Sequence, residues 1–367
     1  MEWYQFNNTG QIDTPALVIY PDRVIENIER LKRMVSSPQL LRPHVKTNKC
    51  TQVTRLMIQQ GIHKFKCATI AEAEMLGMCE AKDALLAYQP TLQKFERLLH
   101  VVKAYPATSY SCLVDNVETA GMISEVSLKN SIRMPVFIDL NAGMGRTGIH
   151  PGKAFELFEQ LMQLRGIEVK GFHAYDGHIR DKGLAERTAH CNRDFEPVET
   201  LRRQIRDKGY AFPLLIAGGS PTFAIHAERE NVECSPGTFI FWDKGYHDTI
   251  PEQEFLFAAV VLTRVISLPD ETKICIDLGY KALASENDLQ NRVYFLNAPY
   301  LKPYSHSEEH MVIDIGKKHT FSIGDELFAL PVHICPTVAM YDDGNIVTNR
   351  QCKTQWKIEA RGRKITI

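Results

Sequence analysis

Leu40-Leu41-Arg42-Pro43-His44-Val45-Lys46-Thr47-Asn48-Lys49 runs from an apolar segment into a lysine bracketed by polar residues. Read as the end of a buried strand, the run places the Lys46 amine at the mouth of whatever pocket that strand opens into. A free lysine, with a pKa of about 10.4, is almost wholly protonated at neutral pH. Desolvation at a strand end, with cationic Arg42 and Lys49 nearby, would lower that pKa and permit covalent chemistry with a carbonyl compound. On its own the stretch favours the plainer reading of a surface lysine just past a strand.

Working outward, short β-branched runs alternate with helical patterns. Strands are expected at 16–20, 40–46, 64–68, 84–88, 110–114, 135–140, 169–175 and 214–217. A helix-compatible segment trails each one; the first repeats Val24, Ile25, Ile28, Leu31 and Val35 on one face. Eight such alternations predict an α/β fold, a parallel (β/α)8 TIM-type barrel whose active site lies at the C-terminal strand ends. Lys46, Asp139, Tyr175 and Gly218 fall at those ends. After about Glu233 the texture becomes strands joined by turns (255–267, 273–277, 292–296, 310–315 and 326–330), which predicts a C-terminal all-β domain. The expected boundaries are 14–232 for the barrel and 233–367 for the β domain.

Composition narrows the function classes. With 44% hydrophobic and 24% charged residues this is an ordinary soluble globular chain, and a formal net charge of -1 argues against a nucleic-acid or membrane-surface partner. No run approaches the roughly 18 apolar residues of a membrane span. The polar first residues lack the pattern of a signal peptide. Nine cysteines without paired spacing read as reduced thiols, so a cytoplasmic protein is expected.

Pro43-His44-Val45-Lys46-Thr47, in a chain that opens with Thr14-Pro15-Ala16-Leu17-Val18, resembles the D-threonine aldolase and D-serine dehydratase family, pyridoxal 5'-phosphate (PLP) enzymes of the alanine racemase fold type. The resemblance extends from Thr14 to Trp356. It implies that Lys46 carries PLP, that residues 1–13 complete the β domain and that the protein is a homodimer. Asn48 stands where the family's run has a second histidine.

Four further constellations bear on chemistry. Gly143-Met144-Gly145-Arg146-Thr147-Gly148 matches a dinucleotide fingerprint, but that fingerprint needs a helix opening within the glycines, and here the helix is expected only near Pro151. With Asp139 it resembles instead a segment of PLP barrels, so Arg146 is a candidate for the cofactor pocket or, equally, for a salt bridge to Asp139. Tyr175-Asp176-Gly177-His178 resembles the family's Tyr-x-Gly-His segment; Tyr175 would then bond the cofactor's pyridine nitrogen and His178 would move protons, although a strand-end tyrosine is otherwise core. Gly218-Gly219-Ser220-Pro221-Thr222 puts glycine amides and hydroxyls after the last barrel strand, where phosphates commonly sit, or makes a plain tight turn. Gly237 and Thr238, in Ser235-Pro236-Gly237-Thr238, resemble the second phosphate loop.

The fourth is Pro331-Val332-His333-Ile334-Cys335. Alternate residues on a strand share a face, so His333 and Cys335 could converge on one divalent ion, with nitrogen plus sulfur favouring zinc over manganese or magnesium. The resemblance assigns this pair the activating metal. It implies a PLP- and metal-dependent lyase acting on D-3-hydroxy amino acids, with a cysteine ligand leaning towards dehydratase over aldolase. An amino-acid racemase and a non-catalytic PLP-binding protein are the competing readings.

Overall fold

A computed structural model describes residues 1–317 and 319–367. The chain forms two compact units: Met1–Ile28 with Thr47–Val53 and Thr238–Arg361, and Glu29–Lys46 with Thr54–Gly237 and Gly362–Ile367. The elements used below are β1 (Ala16–Ile19), β2 (Lys64–Cys67), β3 (Asp83–Leu86), β4 (Ser109–Val114), β5 (Met134–Leu140), β6 (Ile167–Ala174), β7 (Leu214–Ala217) and β8 (Val232–Cys234). Among the described residues no helix is long and apolar enough to cross a membrane.

In the second unit β2 to β8 pair in parallel and in chain order. Their residues are buried in near-continuous runs, as strands covered on both faces require. Helices α3 (Ile70–Met78) and α5 (Val117–Lys129) begin at capping side chains, Thr69 accepting from the Glu72 amide at 3.1 Å and Asn116 from the Thr119 amide at 2.7 Å. The stretch 41–45 closes the ring. Arg42 N–H donates to the Cys234 carbonyl (2.8 Å), Val45 N–H to the Lys66 carbonyl (2.9 Å) and Lys66 N–H to the Pro43 carbonyl (2.9 Å). It is therefore hydrogen-bonded to β8 on one side and β2 on the other, an eighth stave.

Leu85, Leu113, Phe137 and Ile216 cluster inside the barrel. Arg42, 1% exposed, lies in an ion network with Glu233 (2.6 Å) and Asp83, and Lys64 joins it through Glu233. The last residues return to this unit, where the Glu74 carboxylate accepts from the amides of Thr366 (3.0 Å) and Ile367 (3.2 Å).

The first unit holds a mixed sheet. β1 lies between β9 (Ala259–Asp270), with which it is antiparallel, and β15 (Asp343–Thr348), with which it is parallel. The run 16–20 is thus not the first barrel strand; β8, at the expected domain boundary, takes the place it leaves. An apolar run buried on both faces has the same signature in either sheet, so the sequence pattern could not sort them. Tyr4 and Phe6 pack with Val18, Val260 and Phe328 in one core of this unit.

Candidate functional site

The barrel encloses a cavity of about 530 Å³ at the C-terminal strand ends, lined by Lys46, Lys66, Asp115, Arg146, His173 and Tyr175 among others. Lys46 is half-buried just past the closing stave. Three cations surround one aromatic ring: the Tyr175 centroid is 5.8 Å from Lys46 Nζ, 5.5 Å from Lys66 Nζ and 5.2 Å from the Arg146 guanidinium carbon. Arg146 therefore faces the cavity. The Asp139 carboxylate is taken up by the His173 Nδ1–H at 2.7 Å and the Gln89 amide at 2.8 Å. Arg42, expected to tune Lys46, is neutralised in its ion network instead; Lys66 and Arg146 are the basic side chains that share the Tyr175 ring with Lys46.

Lys66, within the expected strand 64–68, belongs to no motif that marks it as a site residue. It is 3% exposed, and its amine donates to Ser235 Oγ at 2.6 Å and approaches His173 Nε2 at 3.4 Å. Burial, reinforced by the positive field of Lys46 and Arg146 and opposed by Asp176 and Asp139, brings it down to about 7. His173 is also held below the ordinary imidazole range, chiefly by burial. For Asp139 burial works the other way, but the bonds from His173, Thr147 and Gln89 prevail and hold it below the usual carboxylate range.

The glycine loop after β7 is braced from beneath. Asp176, fully buried, accepts from His226 Nε2 at 2.9 Å and from the Gly219 amide at 3.5 Å, while Arg229 donates to His226 Nδ1 at 3.1 Å. Gly218 needs its glycine, with φ +73° and an added Cβ only 2.7 Å from Phe223 Cα. At Gly219 a Cβ would stand 3.1 Å from the Tyr175 ring. The glycine segment 143–148 has positive φ at all three glycines, and its helix opens only at Pro151, so the loop is no dinucleotide fingerprint. His178 is turned towards helix α7 (Leu184–Asp207), its Nε2 2.8 Å from Asp194 Oδ2, and not into the Lys46 cavity.

In the first unit His333 and Cys335 do not share a strand. β14 (Glu326–Pro331) ends before them; His333 is the N-cap of the short helix Ile334–Val338, and Cys335 lies in its first turn. A proline-bounded apolar run carries no signal that separates a strand from one helical turn. The two side chains nevertheless meet. Burial opposes a charged His333 ring, but its hydrogen bond to Cys335, the Cys335 charge, the hydrogen bond to Glu286 and the Asp243 charge hold it up at about 9. Cys335 Sγ lies 3.1 Å from Thr47 Oγ1 and 3.5 Å from Thr238 Oγ1. His333 and Cys335 bring an imidazole and a sulfur together, a donor pair that suits a zinc-type cation; among the described residues the sets of three donors within reach of one ion lie elsewhere, at Asp176, Cys191 and His226 and at His178, His190 and Asp194.

This fold and its cationic cavity define an alanine racemase-type barrel. The chain belongs to that family: the model for the alanine racemase N-terminal domain matches residues 19–244, and the model for a putative serine dehydratase domain matches 258–347. Among particular proteins, it is 26% identical to 3-hydroxy-D-aspartate aldolase from Paracoccus denitrificans, over 96% of this chain and 93% of that protein. The D-threonine aldolase structure from Filomicrobium marinum superposes with a TM-score of 0.87 at 24% identity, covering 96% of each chain. A cysteine-to-alanine variant of D-threo-3-hydroxyaspartate dehydratase, in the metal-free form, superposes with a TM-score of 0.82 at 22% identity, covering 95% of this chain and 97% of that one.

Proposed function

We propose that this chain is a PLP- and divalent-metal-dependent lyase acting on D-3-hydroxy amino acids, with dehydration as its main outcome. The observation that carries the reading is the Lys46 cavity, where an amine at a stave end faces an aromatic ring flanked by a second amine, Lys66, and the Arg146 guanidinium. That donor set fits a phosphorylated pyridine aldehyde: an amine to bind its carbonyl carbon, a guanidinium for its oxyanions and a ring beside its heterocycle. Lys46 would hold it covalently, Arg146 and Tyr175 would line it, and Gly219, Ser220, Gly237 and Thr238 would receive its phosphate. When bound, PLP supplies an electron sink for charge developing at the substrate Cα. His333 and Cys335 would hold the metal, which supplies a Lewis acid for the β-hydroxyl.

The chain's own residues do the rest. Asp139 fixes the His173 tautomer through Nδ1, so that Nε2 presents a lone pair to Lys66. The Asp176–His226 pair holds the Gly219 amide in place beneath Tyr175. Lys46, which lines the cavity, would supply a base for a Cα proton when its amine is free. The relatives' names, two aldolases and a dehydratase, support D-3-hydroxy amino acids as the substrate class, and the serine dehydratase domain match supports a lyase over a racemase. Cys335 supports the dehydratase branch, to which the resemblance assigns a cysteine at this position.

The test is product identification. Cofactor-loaded protein is incubated with D-serine, D-threonine and D-3-hydroxyaspartate, with zinc, with manganese, and after chelation. A keto acid formed only with metal is expected. Turnover undiminished in rigorously metal-free protein, or none with any metal, would overturn the reading.

A further inference from the structure

We propose that Lys66 is a second proton-transfer group of the Lys46 cavity, a base that passes its proton through His173 towards Asp139. The inference rests on the lyase reading above for its substrate, and on the barrel's own geometry for the rest. Lys66 lies on β2, hydrogen-bonded through its backbone to Pro43 and Val45 on the stave that ends at Lys46, so the two lysines stand on adjacent staves. Both amines line one cavity.

The Lys66 amine is bonded to neutral groups, the Ser235 hydroxyl at 2.6 Å and His173 Nε2 at 3.4 Å. Burying a lysine among neutral partners disfavours its charged form. The charged and titratable groups that face it are Lys46 and Arg146, which repel its proton, Asp139 and Asp176, which hold it, and His173 and Tyr175. The balance leaves the amine near neutrality, where a base is most useful.

A relay leads away from it. His173 Nδ1–H donates to Asp139 Oδ1 at 2.7 Å, so Nε2 is free to accept. Neutral Lys66 takes a proton from the ammonium of an incoming amino acid or of Lys46. One of its N–H hydrogens then passes to His173 Nε2, and the imidazolium so formed is paired with the Asp139 carboxylate. Only a proton moves, and no electrons are exchanged. Gln89, bonded to both Asp139 (2.8 Å) and Asp115 (3.0 Å), fixes the far end.

The test has two arms on the full-length chain. Lysine 13Cε resonances are followed against pH in wild-type protein without added cofactor, with Lys66→Arg to assign the signal. One lysine titrating near pH 7, absent from Lys66→Arg and displaced to lower pH in Asp139→Asn, is expected; every lysine titrating above pH 9 overturns the proposal. In the cofactor-loaded enzyme, Lys66→Met should lose the neutral-range rising limb of the kcat/KM profile and about 10²-fold in rate, with no rescue by Lys66→Arg. An unchanged profile in Lys66→Met also overturns it. Because the titration needs no turnover, a midpoint near 7 supports the assignment even where the lyase assay fails.

Discussion

Replacing Gly219 by alanine separates a phosphate cradle from a simple turn. The added Cβ would lie 3.1 Å from Tyr175 Cε2, several tenths of an ångström inside the usual carbon contact of about 3.5–4.0 Å. Gly219 has no left-handed φ, so the backbone itself tolerates alanine. In the cofactor-free protein the half-buried Tyr175 ring can move into the cavity and relieve the contact. PLP in the cavity would take up the space into which the ring moves, and overpacking of this kind costs about 1–3 kcal/mol. At about 1.4 kcal/mol per tenfold, PLP affinity should fall roughly 5- to 140-fold while the cofactor-free melting temperature barely changes. Gly218→Ala is the contrast, since strain at φ +73° and a clash with Phe223 backbone should lower the melting temperature itself. Spectrophotometric titration of PLP reads the affinity. Wild-type affinity in Gly219→Ala would refute the cradle.

Cys335→Ala should leave PLP affinity unchanged while slowing turnover by several powers of ten, since a Lewis-acid contribution of several kcal/mol is lost at about 1.36 kcal/mol per tenfold; steady-state kinetics across added zinc measures it. Cys335→Asp should move the metal preference from zinc towards manganese or magnesium, read by activity against each ion. Arg42→Ala leaves buried Glu233 with Lys64 as its ion-pair partner and should destabilise the protein in denaturant unfolding by less than the about 3–5 kcal/mol of a buried pair broken outright. Asp176 has a folded-state pKa below its ordinary value, because the bonds from His226 and the Gly219 amide outweigh burial. Its stabilisation is therefore complete above the unfolded carboxyl value of about 3.9 and is lost as pH falls through the lower folded value, so Asp176→Asn should flatten the acid limb of the stability–pH curve.

Much of this was legible in the sequence, and the exceptions have physical causes. The alternation of apolar runs with helical segments revealed the barrel, because parallel strands buried on both faces leave continuous apolar runs. The same property hid the fact that 16–19 belongs to the other sheet, whose burial of β1 is equally complete. Lys46 and Tyr175 were legible as residues at strand ends, and Arg146 through the glycine segment that follows Asp139. Lys66 was not, because its side-chain direction depends on the phase of a four-residue strand that carries a lysine at alternate positions, Lys64 and Lys66. The Asp139–His173 and Asp176–His226 pairs each join side chains more than 30 residues apart, and no local spacing signals them. His333 and Cys335 were chosen correctly as neighbours for the wrong local reason, since a helical turn and not a strand brings them together.

The cavity offers two lysines, Lys46 and Lys66, to the carbonyl of the cofactor. Reduction of the PLP-loaded protein with borohydride, followed by proteolysis and mass spectrometry of the phosphopyridoxyl peptide, shows directly which of them it occupies. The account predicts the label on Lys46 and its loss in Lys46→Ala. A label on Lys66, or undiminished labelling in Lys46→Ala, would contradict it.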